Sequence, residues 1–181
     1  MASQQQTYTT DMTVTAAMLN AEFGELYSNL TNSNISASAA IAFSKLASDA
    51  WTTNTPTWGA DTVNPAIGNG TNVGRYVKIG RIVVFEFTII MGSTTTYGSG
   101  NYTYSLPYTA ATVTSLVNVG SLLLIDNSPT TYRVGLCLIS SAGTTMRWTI
   151  DSLGGIMDLN NPISLTTNDS IYGQVVYEAS S

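Results

Sequence analysis

Apolar residues in the first thirty positions recur at Met12, Ala16, Leu19, Phe23, Leu26 and Leu30, spaced alternately by four and three. That spacing places one apolar seam along a helix of roughly 3.6 residues per turn. Asp11 or Thr13 is the expected cap, because either side-chain oxygen can accept from an orphan amide of the first turn. Asn and Ser in LTNSN end the pattern by competing for the backbone. A second short helix is expected from about Ser36 to Ala47, where Ile35, Ala39, Ala42 and Leu46 keep the same four-three-four spacing. The seam is too short to hold a coiled coil by itself. It is expected to pack on neighbouring subunits or on a larger body, or else to fold back on its own domain.

After Ala47 the pattern changes. TTNTPTWGADTVNPAIGNGTNVG is rich in turn residues and poor in strands, which marks a boundary at about residue 50. Residues 1–50 therefore read as a helical anchor and oligomerisation segment, and residues 51–181 as a β-domain. From Gly74 onward GRYVKIGRIVVFEFTIIMG reads as two strands meeting at Gly80-Arg81. Further strands are expected in NYTYSLPY, SLVNVGSLLLID, TYRVGLCLIS, TTMRWTID and SIYGQVVYE. Turn signals about every ten residues suit an antiparallel β-sandwich, jelly-roll-like, better than an α/β fold.

One strand departs from simple amphipathicity. In RIVVFEFTIIM, Val83, Phe85, Phe87 and Ile89 alternate with Ile82, Val84, Glu86, Thr88 and Ile90, so both phases are mostly apolar. A strand with one solvated face would be polar throughout one phase. One face is expected in the core and the other against a partner, which points to an oligomer.

Composition sharpens that picture. Charged residues make up 9% of the 181, where a soluble globular domain carries about 25%. Thr, Ser, Asn and Gly must then cover the surface, or other chains must. Six basic residues, scattered singly in a chain of net charge −5, provide no phosphate-binding footprint, and no nucleic-acid partner is expected. No apolar run approaches the roughly 20 residues that span a bilayer, so membrane insertion is not expected. MASQQQTYTTDM lacks the basic and apolar regions of a signal peptide.

The chain has no histidine and a single cysteine. This removes Ser-His and Cys-His pairs, zinc sites of the usual kind and an internal disulfide. Cys137, in VGLCLIS, reads as a small core hydrophobe. GNGTNVG lacks the Lys-Ser/Thr and the following helix of a phosphate loop, and reads as a turn. Glu86 invites a catalytic reading, but Arg75, Lys78 or Arg81 on the adjoining strand offer a structural ion pair. No catalytic residue, cofactor or metal is expected. Trp58, Tyr97, Tyr102 and Tyr104 are candidates for stacking on sugar rings, although aromatics equally fill cores and interfaces.

Two stretches resemble known proteins. TVTAAMLNAEFGELYSNL followed by NISASAAIAFSKLA resembles the N-terminal attachment segments of tailed-bacteriophage fibre and minor structural proteins. TPTWGADTVNPAIGNGTNVGRYVKIGRIVVFEFTIIMGSTTTYGSGNYTYSLP is similar to the β-rich C-terminal domain of many such proteins, above all in GNGT-x-x-GRY-x-x-x-G and MGSTTTYGSG. The resemblance implies a virion structural protein made in the host cytoplasm, commonly a homotrimer. Its N-terminus would dock on other virion proteins while the β-domain projects outward. A tail fibre or minor tail protein, a head fibre or capsid decoration protein, and a carbohydrate-binding module that attaches to host glycans all remain open. No catalytic residues carry over.

Overall fold

The computed structural model describes residues 10–28, 50–113, 118–128, 130–150 and 155–180. Chain contacts divide the protein into two units, Met1–Ser48 and Asp49–Ser181. In the first unit α1 runs from Ala16 to Ser28. Its cap is Thr15, neither Asp11 nor Thr13: the Thr15 hydroxyl accepts from the Met18 amide at 3.3 Å, while the Thr15 carbonyl accepts from Leu19 at 3.2 Å. Met12 therefore precedes the helix and does not join its seam. Ala16, Leu19 and Phe23 do, and all three are exposed, Phe23 by 53%. Leu26 falls within α1, with its side chain outside the description. Leu30, Ile35, Leu46 and the second expected helix lie outside the described residues.

The second unit is mainly β and entirely antiparallel in its named pairings. Its strands are β1 (Thr52–Asn54), β2 (Trp58–Ala60), β3 (Thr71–Ile79), β4 (Ile82–Ile90), β5 (Tyr102–Ser105), β6 (Asn118–Asn127), β7 (Thr130–Ile139), β8 (Thr145–Ile150) and β9 (Ser170–Glu178). They form one nine-stranded sheet in the order β1-β3-β4-β9-β6-β7-β8-β5-β2. The β3–β4 hairpin closes at Gly80-Arg81 as expected, with Gly80 at a φ of 59° that a side-chain-bearing residue seldom adopts. β3 begins three residues earlier than the sequence suggested, at Thr71.

The sheet curls. Its two edge strands, β1 and β2, are neighbours in sequence, so Thr55–Thr57 carries the chain from one edge to the other. A side chain on β3 secures this crossing: Asn72 donates from Nδ2 to the Pro56 carbonyl at 2.7 Å and accepts from the Tyr104 hydroxyl at 2.6 Å. The curl brings β4 within ring contact of β5 and β8. Phe87 stacks on Trp148 with centroids 5.7 Å apart and meets Tyr104 at 4.7 Å. Val83, Phe85, Phe87 and Ile89 of β4 enter this core with Leu124, Ile139, Ile171 and Tyr177. Inward glycines make room for the rings. Any Cβ on Gly173 would stand 2.2 Å from the Phe87 ring, and one on Gly74 would stand 2.7 Å from Phe85.

Candidate assembly face

The opposite face of the same strands is apolar as well. Register aligns the outward positions into rows that cross β3, β4, β9, β6 and β7. One row reads Val73, Thr88, Tyr172, Leu123, Val134. Nearer the other end of β4 lie Val77, Val84 and Val176, followed by Ile79 and Ile82. β7 adds Tyr132 and Leu136. Among these, Val134 is 72% exposed, Tyr132 67% and Ile79 58%. In the second unit nearly all the large apolar residues left exposed among those described lie on this face; Val63, in a loop, is the exception. An ordinary monomer keeps its largest apolar patch to about 300–600 Å².

Between the two apolar zones runs a polar row: Thr53, Arg75, Glu86, Gln174 and Ser121, while Glu178, in register with Ile82, adds a second charged position at the rim. Arg75 reaches Glu86 at 2.7 Å through both Nε and Nη2. Gln174 donates to the other Glu86 oxygen at 3.4 Å, and the Arg75 guanidinium lies 4.5 Å from the centre of the Trp51 ring. The two charges cancel within the row. Glu86 thus takes the structural ion pair expected of it, with Arg75 as the partner; Arg81 pairs instead with Glu178 at 3.0 Å. A groove of about 800 Å³ runs over the face, lined by Val73, Arg75, Thr88, Leu123, Val134 and Tyr172.

The aromatics proposed from sequence as glycan-facing do not form a site. Trp58, Tyr102 and Tyr104 are core side chains. Trp58 meets Tyr102 edge-on at 5.2 Å, the Tyr102 hydroxyl donates to the Tyr97 carbonyl at 2.9 Å, and Tyr104 holds Asn72. Burial pushes the phenols of Tyr102 and Tyr104 well above the usual tyrosine range. Their rings have no free face for a sugar. Tyr97 is half-buried, and burial also raises its phenol. Curling of the sheet, which linear periodicity does not encode, turned these rings inward.

A smaller pocket of about 430 Å³ opens elsewhere, among Thr52, Tyr76, Lys78 and Tyr108. Tyr76 and Tyr108 pack edge-on at 5.4 Å with their phenols hydrogen-bonded, a contact that raises the Tyr76 phenol. The Lys78 ammonium lies 4.9 Å from the Tyr108 ring centre. Tyr177 fixes Tyr108 from behind, donating to its carbonyl at 2.9 Å and accepting from its amide at 3.1 Å. Sequence reasoning passed over Tyr76, and only the fold brings it beside Tyr108.

Cys137 is buried as expected, and burial pushes its thiol up to about 12, which leaves essentially no thiolate at neutral pH. Among the described residues no three acidic or sulfur side chains gather in one place. The fold and its outer face define an antiparallel curled-sheet domain with a second, exposed apolar face. Comparison with protein-family models, with curated proteins and with solved structures returns no match.

Proposed function

We propose that this chain is a non-enzymatic structural component of a bacteriophage virion, a homotrimeric fibre or minor tail protein. Its N-terminal segment docks on other virion proteins and its β-domain projects outward. The apolar outer face of β3, β4, β9, β6 and β7 carries this reading, since a chain that leaves Val134, Tyr132 and Ile79 in water needs copies of itself to cover them. The motifs that resemble phage attachment segments supply the virion context. In the same reading the two halves of the curled sheet act as the layers of a jelly-roll-like sandwich, with the Phe87–Trp148 contact spanning them. Antibody labelling of this chain on intact particles tests the proposal. Signal confined to the tail is the expected result, signal over the capsid transfers the chain to head fibres or decoration proteins, and particles without signal overturn the virion assignment.

One observation favours an additional role in host attachment. The Tyr76–Tyr108–Lys78 pocket has two fixed aromatic edges, hydroxyls and a cation, with Tyr76 and Lys78 carried by β3, a combination suited to a glycan.

A further inference from the structure

The polar row on the outer face lies in the middle of apolar surface, and this location is hard to explain within one chain. An exposed ion pair contributes only about 0–1 kcal/mol to a fold. The Arg75–Glu86 pair, joined through two guanidinium nitrogens, is nevertheless fixed from two sides, by Gln174 and by the Trp51 ring. Polar groups fixed within an apolar interface commonly set its register and reject wrong partners.

We infer that Arg75, Glu86 and Gln174 form a register belt that meets the same belt of other copies of this chain where their outer faces associate. The inference rests on the proposed homotrimer and names the residues that specify it.

Two arguments identify the occupant as a second copy. The first is area. Five strands of nine residues, at a spacing of about 4.8 Å and a rise of about 3.4 Å, cover roughly 700 Å². Stable interfaces bury about 800 Å² per partner, so a face of this size is close to what one such contact needs. The second is charge. The chain carries −5 overall, which opposes self-association through most of its surface. On the outer face Arg75 cancels Glu86, and Glu178 at the rim is paired with Arg81, so identical copies can approach there without net repulsion. A cationic or anionic partner would find no complementary field on it.

When three faces gather about an axis, their belts come level and each Arg75 lies within reach of a neighbour's Glu86. A single reversal, R75E or E86R, then fills the ring with like charges. Reversals of opposite sign on different copies restore attraction wherever the two kinds of chain meet, at two of the three seams of a mixed trimer, although neither chain regains its own pair.

The test uses the full-length protein at micromolar concentration, with mass measured by light scattering and folding by circular dichroism. Wild type is expected as a trimer, R75E and E86R alone as folded monomers, and an equimolar mixture of the two as mixed oligomers heavier than either variant alone. The R75E/E86R double variant is also expected to be trimeric. If both single variants stay trimeric at low salt, or if the mixture stays monomeric, the belt does not act between chains and the inference falls while the trimer stands. A monomeric wild type, as when the chain's own N-terminal segment covers the face, overturns the trimer and the belt together. Should a reversal unfold the domain, Q174E carries the same test, because it adds a carboxylate to the belt and leaves the Arg75–Glu86 pair in place. It is expected to lose the trimer at low salt and regain it at high salt, and an unaffected trimer contradicts the inference.

Discussion

Gly173 shows how narrowly individual residues are specified on the inner face. Its α-carbon pairs with Phe87 across the β4–β9 ladder, and the ring lies where a Cβ would stand, 2.2 Å away. The ring cannot retreat, because Trp148 and Tyr104 pack on it at 5.7 and 4.7 Å. Gly173→Ala should therefore destabilise the domain by about 1–3 kcal/mol, the usual cost of overpacking a filled core. Chemical denaturation with unchanged steepness would read that loss, and a variant as stable as wild type would show that the ring has room to move. In the sequence, Gly173 is one more glycine in a strand. Nothing there shows that it faces the Phe87 ring of the adjoining strand β4, so its role was illegible. The ion pair of Glu86 was legible, because a carboxylate between Phe85 and Phe87 has few neighbours to choose from once Arg75 lies on the adjoining strand.

At the scale of elements, the long strands could be read because their signals are local. β3 and β4 announce themselves by β-branched and aromatic runs around Gly80-Arg81, and β6 to β9 by similar runs between turn signals. β1 and β2 could not be read. Each has three residues, with a proline between them, and they become strands only because β3 and β5 offer them edges. The helix cap was missed for a related reason: Asp11, Thr13 and Thr15 are all chemically able to cap, and the sequence does not rank them.

One tie between elements should be visible in acid. Arg147 on β8 grips Asp61, just past β2, through two hydrogen bonds of 2.6 and 3.0 Å. That grip holds the Asp61 carboxyl below the usual aspartate range. The folded protein thus binds the proton less readily than the unfolded chain. The tie contributes above the unfolded value and is lost as the pH falls through the folded one. Asp61→Asn should lower the thermal midpoint at neutral pH and converge with wild type at strongly acidic pH. Parallel curves across the whole range would mean that the tie adds nothing specific.

At the scale of the whole molecule, the sequence revealed that β4 has two apolar faces but not how far the second extends. Tyr132, Val134 and Leu136 on β7 and Tyr172 and Val176 on β9 complete it, and only the strand order brings β4, β9, β6 and β7 side by side. The low charge content fits the proposed trimer, since a surface hidden by copies would need no charges to stay soluble. The glycan-facing aromatics failed at this scale too: the curl that creates a core from one sheet consumes Trp58, Tyr102 and Tyr104.

The proposed trimer requires that outer face to be covered by copies of the chain, and the mass of the intact protein in solution tests it most directly. Light scattering at micromolar concentration should return three times the 19.2 kDa chain mass, and Val134→Asp, at the most exposed apolar position of the face, should reduce it toward one. A wild-type protein that stays at the mass of a single chain under these conditions would contradict it.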